Sequence, residues 1–178
     1  MSSLYLGVEI GGTKQQIIVG DENGRIIDRI SERIPLPNGA SDILTWINVK
    51  LPLLREKYPD IKAIGVGFGG PLESANGKVL ISVQVPGWKD FKLKNWFEEQ
   101  FSLPATVVID SVCGGYAELK LGAGRGAKCL IYSNIGTGIG GAFYIGGLTY
   151  DGVGNGAMYL GNTFVADWTA KKAGAVEK

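Results

Sequence analysis

A short unit of apolar strand, glycine tip and apolar strand occurs twice in this chain of 178 residues. The first copy reads "LGVEIGGTKQQIIVG" at 6–20, and the second runs through "NIGTGIGGAFYIGG" at 134–147. Aligning Gly11 with Gly136 matches the two copies. A unit that recurs near the start of each half of a chain predicts two lobes of similar design, and such a pair suits a ligand that both lobes share.

The apolar periodicity before residue 122 predicts the order βββαβαβα, which is typical of an α/β domain with a mixed sheet. Ser41 or Asp42 is the predicted cap of the first helix, with a kink at Pro52 and an end before Pro59. The predicted strands and helices are 5–10, 16–20, 25–33, the helix at 41–58, 61–68, a short strand near 79–83, the helix at 93–101, 105–109 and the helix at 111–121.

A glycine-rich joint, "LKLGAGRGAK" at 119–128, predicts a lobe boundary, with lobes at 1–121 and 122–178. The second lobe begins with predicted strands at 130–135, 142–145 and 148–150, separated by a glycine tip at 136–141 and a turn at 146–147. No helical pattern follows that could cover this sheet. We therefore expect the chain to be the first part of a longer protein.

The composition excludes several kinds of chemistry. The chain has no histidine, which removes Ser-His and Cys-His catalysis and every metal site that contains histidine. With 18 basic and 17 acidic side chains and no dominant basic run, no nucleic-acid or membrane partner is indicated. The absence of a leader or membrane-span pattern predicts a cytoplasmic location, and Cys113 and Cys129 are predicted to be reduced, half-buried thiols.

Two stretches match the pattern G-x-G-x-x-G, "GVGFGG" at 65–70 and "GTGIGG" at 136–141. A dinucleotide site needs a helix that opens on the last glycine, and neither stretch has one. The "GGTK" tip is not a Walker A loop either, because its lysine follows the threonine. A tip of this kind can instead direct backbone N–H groups at a phosphate, with donors from Gly11, Gly12, Thr13 and Lys14. The structural alternative is a tight turn in which the glycines only permit positive φ.

Two carboxylates stand at predicted strand ends. Glu9 precedes the first glycine tip and could hold Mg²⁺ through water, or it is only an exposed charge. Asp110 follows the strand at 105–109 and precedes a helix, at the sheet edge where open α/β folds bind ligands. Asp110 could accept a proton from a hydroxyl that attacks a phosphate, or it could serve only as a helix cap.

With these motifs in place, the sequence resembles the ROK family of sugar kinases and sugar-responsive repressors, which is part of the actin, hexokinase and Hsp70-like superfamily. The resemblance extends over the whole chain. The stretches that carry it are "LGVEIGGTK", "GVGFGGPLES", "VPGWKDFKL", "VVIDSVCGGYAELKLGAGRG" and "NIGTGIGGAFYIGGLTYDG".

The resemblance implies two RNase H-like lobes with ATP and a sugar in the cleft, and Asp110 as the catalytic base. It implies that Gly136, Thr137 and Gly138 lie near the phosphates and that Mg²⁺ lies near Glu9, where the family more often has aspartate. The positions implied for the sugar side are Gly70, Gln84, Trp88, Ile109, Asp110, Tyr159 and Asn162. A core position is the structural alternative for Trp88.

Several of these positions depart from the family pattern. Ile109 and Gln84 stand where the family usually has asparagines, and Tyr159 and Asn162 replace a Glu and a His. Such changes alter discrimination among hydroxyl-bearing substrates, so we expect an acceptor other than ordinary glucose. The family's cysteine-rich zinc loop is also missing, and no zinc is expected in this chain.

Three functions remain open from the sequence. The first is an ATP-dependent, Mg²⁺-dependent sugar kinase whose partners are the sugar and ATP, with a homodimer left open. The second is a non-catalytic sugar-binding or regulatory protein with the same fold, and the third is an ATPase or acyl-group enzyme without a sugar acceptor. In each case the 178-residue chain itself is expected to have little or no kinase activity.

Overall fold

The computed structural model describes residues 2–82, 84–136, 138–152, 159–162, 164–165 and 174–175. The chain forms two compact units, Met1–Asp110 and Ser111–Lys178. By this division the whole of the helix predicted at 111–121 belongs to the second unit, whereas the sequence analysis assigned it to the end of the first lobe. The lobe boundary at 121 stays a prediction for the intact protein.

The first unit is built on a mixed sheet, as predicted, and this sheet has five strands. They are β1 (Leu4–Ile10), β2 (Gln15–Asp21), β3 (Ile26–Glu32), β4 (Ile61–Phe68) and β7 (Ala105–Ile109), and a separate pair consists of β5 (Leu72–Glu73) and β6 (Lys78–Val79). The strands β1, β2 and β3 form consecutive antiparallel pairs, and β4 and β7 extend the sheet in parallel on the other side of β1, in the order β3-β2-β1-β4-β7. The strand predicted near 79–83 is thus shorter and earlier, and Val83 lies outside the described residues.

The core of the first unit lies on the face of the sheet that receives alternate apolar side chains from β1, β2, β4 and β7. The helices α1 (Ala40–Lys57) and α2 (Leu93–Phe101) pack beside β2 and β7. The helical spacing predicted for α1 is confirmed, and the helix continues through Pro52. Its fully or nearly fully buried side chains are Ala40, Ile43, Trp46, Ile47, Leu51 and Leu54.

The predicted start of α1 is wrong. The helix begins at Ala40, and neither Ser41 nor Asp42 caps it. Its N-cap residue is Gly39, with φ 65°. The reason is a contact distant in sequence, because the N–H of Ala40 donates to the carbonyl of Pro86 at 2.8 Å. Asp42 instead accepts hydrogen bonds from the backbone and side chain of Asn38.

The second unit contains an antiparallel sheet of the strands β8 (Cys129–Ile135), β9 (Ile139–Ile145) and β10 (Leu148–Thr149), in the order β10-β9-β8. The helix α3 (Asp110–Leu121) packs on this sheet. A 3-10 turn at Leu160–Asn162 and the pair β11 (Phe164–Val165) and β12 (Gly174–Ala175) follow. The glycine tip predicted at 136–141 is shorter, because Gly140 and Gly141 belong to β9 and pair with Asn134 and Ser133.

Glycines let α3 lie close to this sheet. A Cβ on Gly115 would stand 2.8 Å from Cε2 of Tyr144, and a Cβ on Gly114 would stand 2.6 Å from the hydroxyl of Tyr132. Neither Cys113 nor Cys129 forms a disulfide, as predicted, but both are exposed rather than half-buried. None of the helices in the described ranges is long and apolar enough to cross a bilayer.

Candidate functional site

The three neighbouring strands β1, β4 and β7 end at the same level of the sheet. Ile10 is in register with Phe68, and Phe68 is in register with Ile109. The residues that follow these strand ends are Gly11, Gly69 and Asp110, so they line one edge of the first unit. This is the carboxyl edge of the parallel strands, where α/β sheets bind ligands.

Gly69 brings the Asp110 carboxylate close to the first glycine tip. A Cβ on Gly69 would stand 3.4 Å from Oδ2 of Asp110 and 3.9 Å from Cα of Gly11. The N–H of Gly69 donates to the carbonyl of Ile10 at 2.9 Å, which fixes this glycine between the two strands. Asp110 is also the first residue of α3, where the helix dipole favours a negative charge. We call Gly11, Gly12, Gly69, Gln84 and Asp110 the edge site.

The tip itself is closed by a residue that the sequence reasoning did not single out. The Nε2 of Gln15 donates to the carbonyl of Gly11 at 2.8 Å, and its Oε1 accepts from the N–H of Gly11 at 3.2 Å. Gln15 is completely buried. The N–H of Gly11, predicted as a phosphate donor, is therefore already used within the hairpin.

The next residues of the tip have a different status. Within the described part of the chain, the N–H groups of Gly12 and Thr13 have no acceptor, and the Thr13 and Lys14 side chains are exposed. The two N–H groups can therefore bind an anion without breaking a hydrogen bond within the protein, and the two side chains are accessible to the same anion. The anion-binding hypothesis for the tip now depends on Gly12, Thr13 and Lys14.

Gln84, which is predicted on the sugar side, lies directly against the tip. A Cβ on Gly12 would stand 2.3 Å from Oε1 of Gln84. A side chain at this position would require the flexible amide end of Gln84 to move. The structure therefore places the amide of Gln84 next to the proposed phosphate donors.

Glu9 is the residue predicted to hold Mg²⁺ through water. It is exposed in β1, and its Oε2 accepts a hydrogen bond from Nε2 of its cross-strand neighbour Gln16. The other side-chain atom of that amide, Oε1 of Gln16, is buried and has no partner among the described residues. A carboxylate beside an orphaned amide oxygen is a hard oxygen donor set, and Mg²⁺ needs only one or two protein carboxylates because it retains several waters. Within the described ranges there is no cluster of three or more His, Cys, Asp or Glu side chains.

Three other residues predicted on the sugar side lie in or against the core of the first unit. Trp88 is 1 % exposed and makes edge-to-face contacts with Phe68 and Phe91, which is the structural alternative named for it. Ile109 is 7 % exposed, in the buried row of β7. Gly70 is needed for a close approach, because a Cβ there would stand 2.8 Å from Cε1 of Phe68.

The remaining predicted residues belong to the second unit. Gly136 and Gly138 form the tip between β8 and β9, where the N–H of Gly136 donates to the carbonyl of Gly138 at 2.8 Å. Thr137 and the side chain of Asn162 lie outside the described residues. Tyr159 stands just before the 3-10 turn, and burial raises the pKa of its hydroxyl, reinforced by Asp151.

The inner side of the second hairpin is anchored by two polar contacts to α3. Ser111, which is 2 % exposed, donates from Oγ to the carbonyl of Gly141 at 3.0 Å. The hydroxyl of Tyr144 donates to the carbonyl of Val112 at 2.5 Å. Burial, with a smaller contribution from Cys113, raises the pKa of Tyr144 to about 12, so this hydroxyl remains a donor at neutral pH.

Comparison with known proteins identifies relatives over nearly the whole chain. The model of the ROK family matches residues 5–171. A glucokinase of Halalkalibacterium halodurans is 32% identical over 165 residues, and a fructokinase of Lactococcus lactis subsp. cremoris is 30% identical over 162 residues. These alignments cover 90% and 89% of this chain but only 50% and 52% of the relatives.

A solved structure gives the same result for the fold. The chain is similar to a ROK family glucokinase from Streptomyces griseus in complex with glucose and AMPPNP, with a TM-score of 0.83 and 31% sequence identity. That match covers 92% of this chain and 51% of the glucokinase. The expected fold class, the actin-like ATPase fold, is thereby confirmed, and the chain spans about half the length of the relatives it matches.

Proposed function

The chain belongs to the ROK family, and from this membership we propose that the protein transfers the γ-phosphoryl group of ATP to a hydroxyl of a sugar or sugar derivative. One observation carries the proposal. The Asp110 carboxylate and Gly11 lie on either side of Gly69, because a Cβ on Gly69 would stand 3.4 Å from Oδ2 of Asp110 and 3.9 Å from Cα of Gly11. A candidate base and a candidate phosphate cradle thus share one sheet edge, which is the arrangement that transfer to a hydroxyl requires.

Asp110 acts as the general base in this proposal. The sugar hydroxyl oxygen attacks the γ-phosphorus while its proton passes to a carboxylate oxygen of Asp110. The bond between the γ-phosphorus and the bridging oxygen breaks, and ADP leaves with the electron pair of that bond. Asp110 is the first residue of α3, so its carboxylate stands at the end of the helix where a negative charge is favoured.

The tip of the first hairpin acts on the phosphate side. The N–H groups of Gly12 and Thr13 donate to phosphate oxygens, and the charge of Lys14 attracts the same anion. Glu9 would hold Mg²⁺ through water, and the ion would neutralise charge on the transferred group. Because these donors are fixed before reaction, they lower the barrier without a reorganisation cost.

Gln84 contributes to acceptor choice in this proposal. Its amide lies against Gly12, where it can both donate to and accept from a sugar hydroxyl. The relatives named above include a glucokinase and a fructokinase, so membership in the family leaves the acceptor open. Since Ile109 and Gln84 differ from the family pattern, we propose an acceptor other than ordinary glucose.

The non-catalytic alternative has one observation in its favour. Ile109 is apolar and buried at the position where the family's usual asparagine would bond the sugar. A protein that binds a sugar without phosphorylating it could tolerate this change. The alternative predicts sugar-induced thermal stabilisation without turnover.

The active form is proposed to contain more chain than these 178 residues. Ile131 and Ile135 of β8 are 61% and 84% exposed, although apolar strand residues are ordinarily covered. The relatives are about twice as long, and further chain of similar length could cover this side of β8. The 178-residue chain is accordingly proposed to have little or no kinase activity.

The experiment is a coupled ADP-release assay of the full-length protein over a panel of sugars, with Asp110→Asn as the matched variant. The expected result is turnover with at least one sugar and a loss of about 100-fold or more in Asp110→Asn, since a general base typically contributes that much. Stabilisation by a sugar with no turnover on any panel member would overturn the kinase proposal. ATP hydrolysis that is insensitive to every sugar would favour the ATPase alternative.

A further inference from the structure

Among the residues of the first unit that the structure describes, Gln15 is the most thoroughly buried polar side chain, at 0 % exposure. It opens β2 and occupies the row that continues with Ile17 and Val19, both also fully buried. A polar residue in an apolar row is costly unless its groups are bonded. Both functional atoms of the Gln15 amide are bonded, and both bonds go to the same residue, Gly11.

The two bonds extend the β1–β2 ladder by one step. The last backbone pair of the ladder is Ile10 with Gln15, and beyond it the chain turns through Gly11–Lys14. Here the side-chain amide of Gln15 replaces the backbone of a strand partner, because it offers Gly11 one donor and one acceptor. Gly11 is therefore tied to the first residue of β2 although it lies outside the strands.

Gly11 also connects the tip to the carboxylate. Its Cα lies 3.9 Å from the place where a Cβ of Gly69 would stand, and the same point is 3.4 Å from Oδ2 of Asp110. A residue that fixes Gly11 therefore fixes where Gly12 and Thr13 begin relative to Asp110. Two successive glycines would otherwise give the tip considerable conformational freedom.

We propose that Gln15 is a positioning residue for phosphoryl transfer. It holds Gly11 in place and thereby directs the N–H groups of Gly12 and Thr13 at the nucleotide phosphates. The inference rests on the proposed function. It assigns Gln15 no contact with ATP, so its effect passes through the tip alone, and it predicts a nucleotide-side defect without a sugar-side defect.

The test uses the full-length protein with Gln15→Met, which preserves length and much of the volume but loses both bonds. Ile17→Val is the matched control, because Ile17 is equally buried two residues later on the same face of β2 and is paired with Val8 rather than with the end of the hairpin. For Gln15→Met we expect kcat/KM for ATP to fall about tenfold or more, as for a displaced transition-state donor, while KM for the sugar stays within about twofold. For Ile17→Val, kcat/KM for ATP and KM for the sugar should both stay within about twofold of the wild-type values, even if its Tm falls by as much as that of Gln15→Met.

Amide hydrogen exchange supplies a readout that does not depend on activity. The Gly11 N–H should exchange slowly in the wild type and in Ile17→Val, and at least about tenfold faster in Gln15→Met. If Gln15→Met does not fold, Gln15→Asn replaces it, since this variant keeps an uncharged amide but is one methylene too short to keep both bonds to Gly11. An unchanged kcat/KM for ATP in the folded variant would overturn the proposal, as would a sugar KM that rises in parallel.

Failure of the proposed function remains distinguishable from failure of this inference. If the wild type turns over no sugar, the dissociation constant for ATP is measured by calorimetry on the same three proteins. A weakening of about tenfold in Gln15→Met but not in Ile17→Val supports the positioning role without the kinase activity. Equal affinity in all three, or no ATP binding by the wild type, overturns the role.

Discussion

Replacing Gly69 with alanine should separate the chemistry of the edge site from the stability of the fold. The added methyl would stand 3.4 Å from Oδ2 of Asp110, 3.5 Å from the carbonyl of Ile10 and 3.9 Å from Cα of Gly11. All three are ordinary van der Waals distances, and the backbone of Gly69 is not among those with positive φ. The variant should therefore fold, with a free energy of unfolding unchanged or raised by about 0.4–1 kcal/mol, because alanine restricts the unfolded chain.

The same methyl should impair turnover. A hydroxyl that gives its proton to Asp110 must approach within about 2.6–3.2 Å of the carboxylate, and the methyl occupies one side of that approach. We expect kcat to fall at least about tenfold, equivalent to about 1.4 kcal/mol in the barrier. Coupled ADP release and thermal unfolding of the full-length protein measure the two effects side by side.

Gly65→Ala is the control for this prediction. Gly65 is an exposed residue of β4, and its Cβ would stand 3.9 Å from the carbonyl of Leu6, far along the strand from the edge site. It should gain a similar small amount of stability and keep wild-type turnover. The reasoning fails if Gly69→Ala retains full activity, if it loses more than about 2 kcal/mol of stability, or if Gly65→Ala is equally impaired.

Two further predictions concern carboxylates of the first unit. Glu9→Gln in the full-length protein should lower Mg²⁺-dependent phosphoryl transfer far more than Tm, because Glu9 is exposed and surface changes usually cost at most about 0.5 kcal/mol; equal activity across a Mg²⁺ titration would remove Glu9 from the metal site. Glu32→Gln should weaken the acid sensitivity of Tm. Lys50, at 2.7 Å, and then Trp46 lower the pKa of Glu32 below its ordinary 4.5. Its stabilising contribution is thus present above pH 4.5 and lost as pH falls through the lowered value. Tm measured from pH 3 to 7 should therefore drop less in Glu32→Gln than in wild type, and parallel curves would contradict the argument.

The order of elements could be predicted because it depends on local periodicity. Alternating burial in β1, β2 and β7 and helical spacing in α1 are properties of short stretches, and they lead directly to the mixed sheet observed. The place of Asp110 at the sheet edge followed in the same way, since a residue after a parallel strand must stand there. Bounds that depend on distant partners could not be obtained by this route.

The start of α1 shows what local reasoning lacks. Ser41 and Asp42 are good capping residues, but the first helical N–H is satisfied by the carbonyl of Pro86. Gly39 has positive φ, and a Cβ on it would stand 2.3 Å from that carbonyl oxygen. When the capping carbonyl comes from a residue far along the chain, the only sign of it in the local sequence is a glycine. A capping rule applied to 38–44 therefore could not find it.

Gln15 is a different case, because its signal was present in the sequence. In β2 the residues at 15, 17 and 19 alternate with their neighbours and share one face, and two of the three are apolar. A glutamine that continues such a buried row must have partners for both amide groups, and the nearest unpaired backbone is that of the adjacent glycine tip. A polar residue in an otherwise apolar row, such as Gln15, therefore indicates a side chain that fixes the tip. Attention to the glycines alone identifies the proposed phosphate donors but misses the residue that positions them.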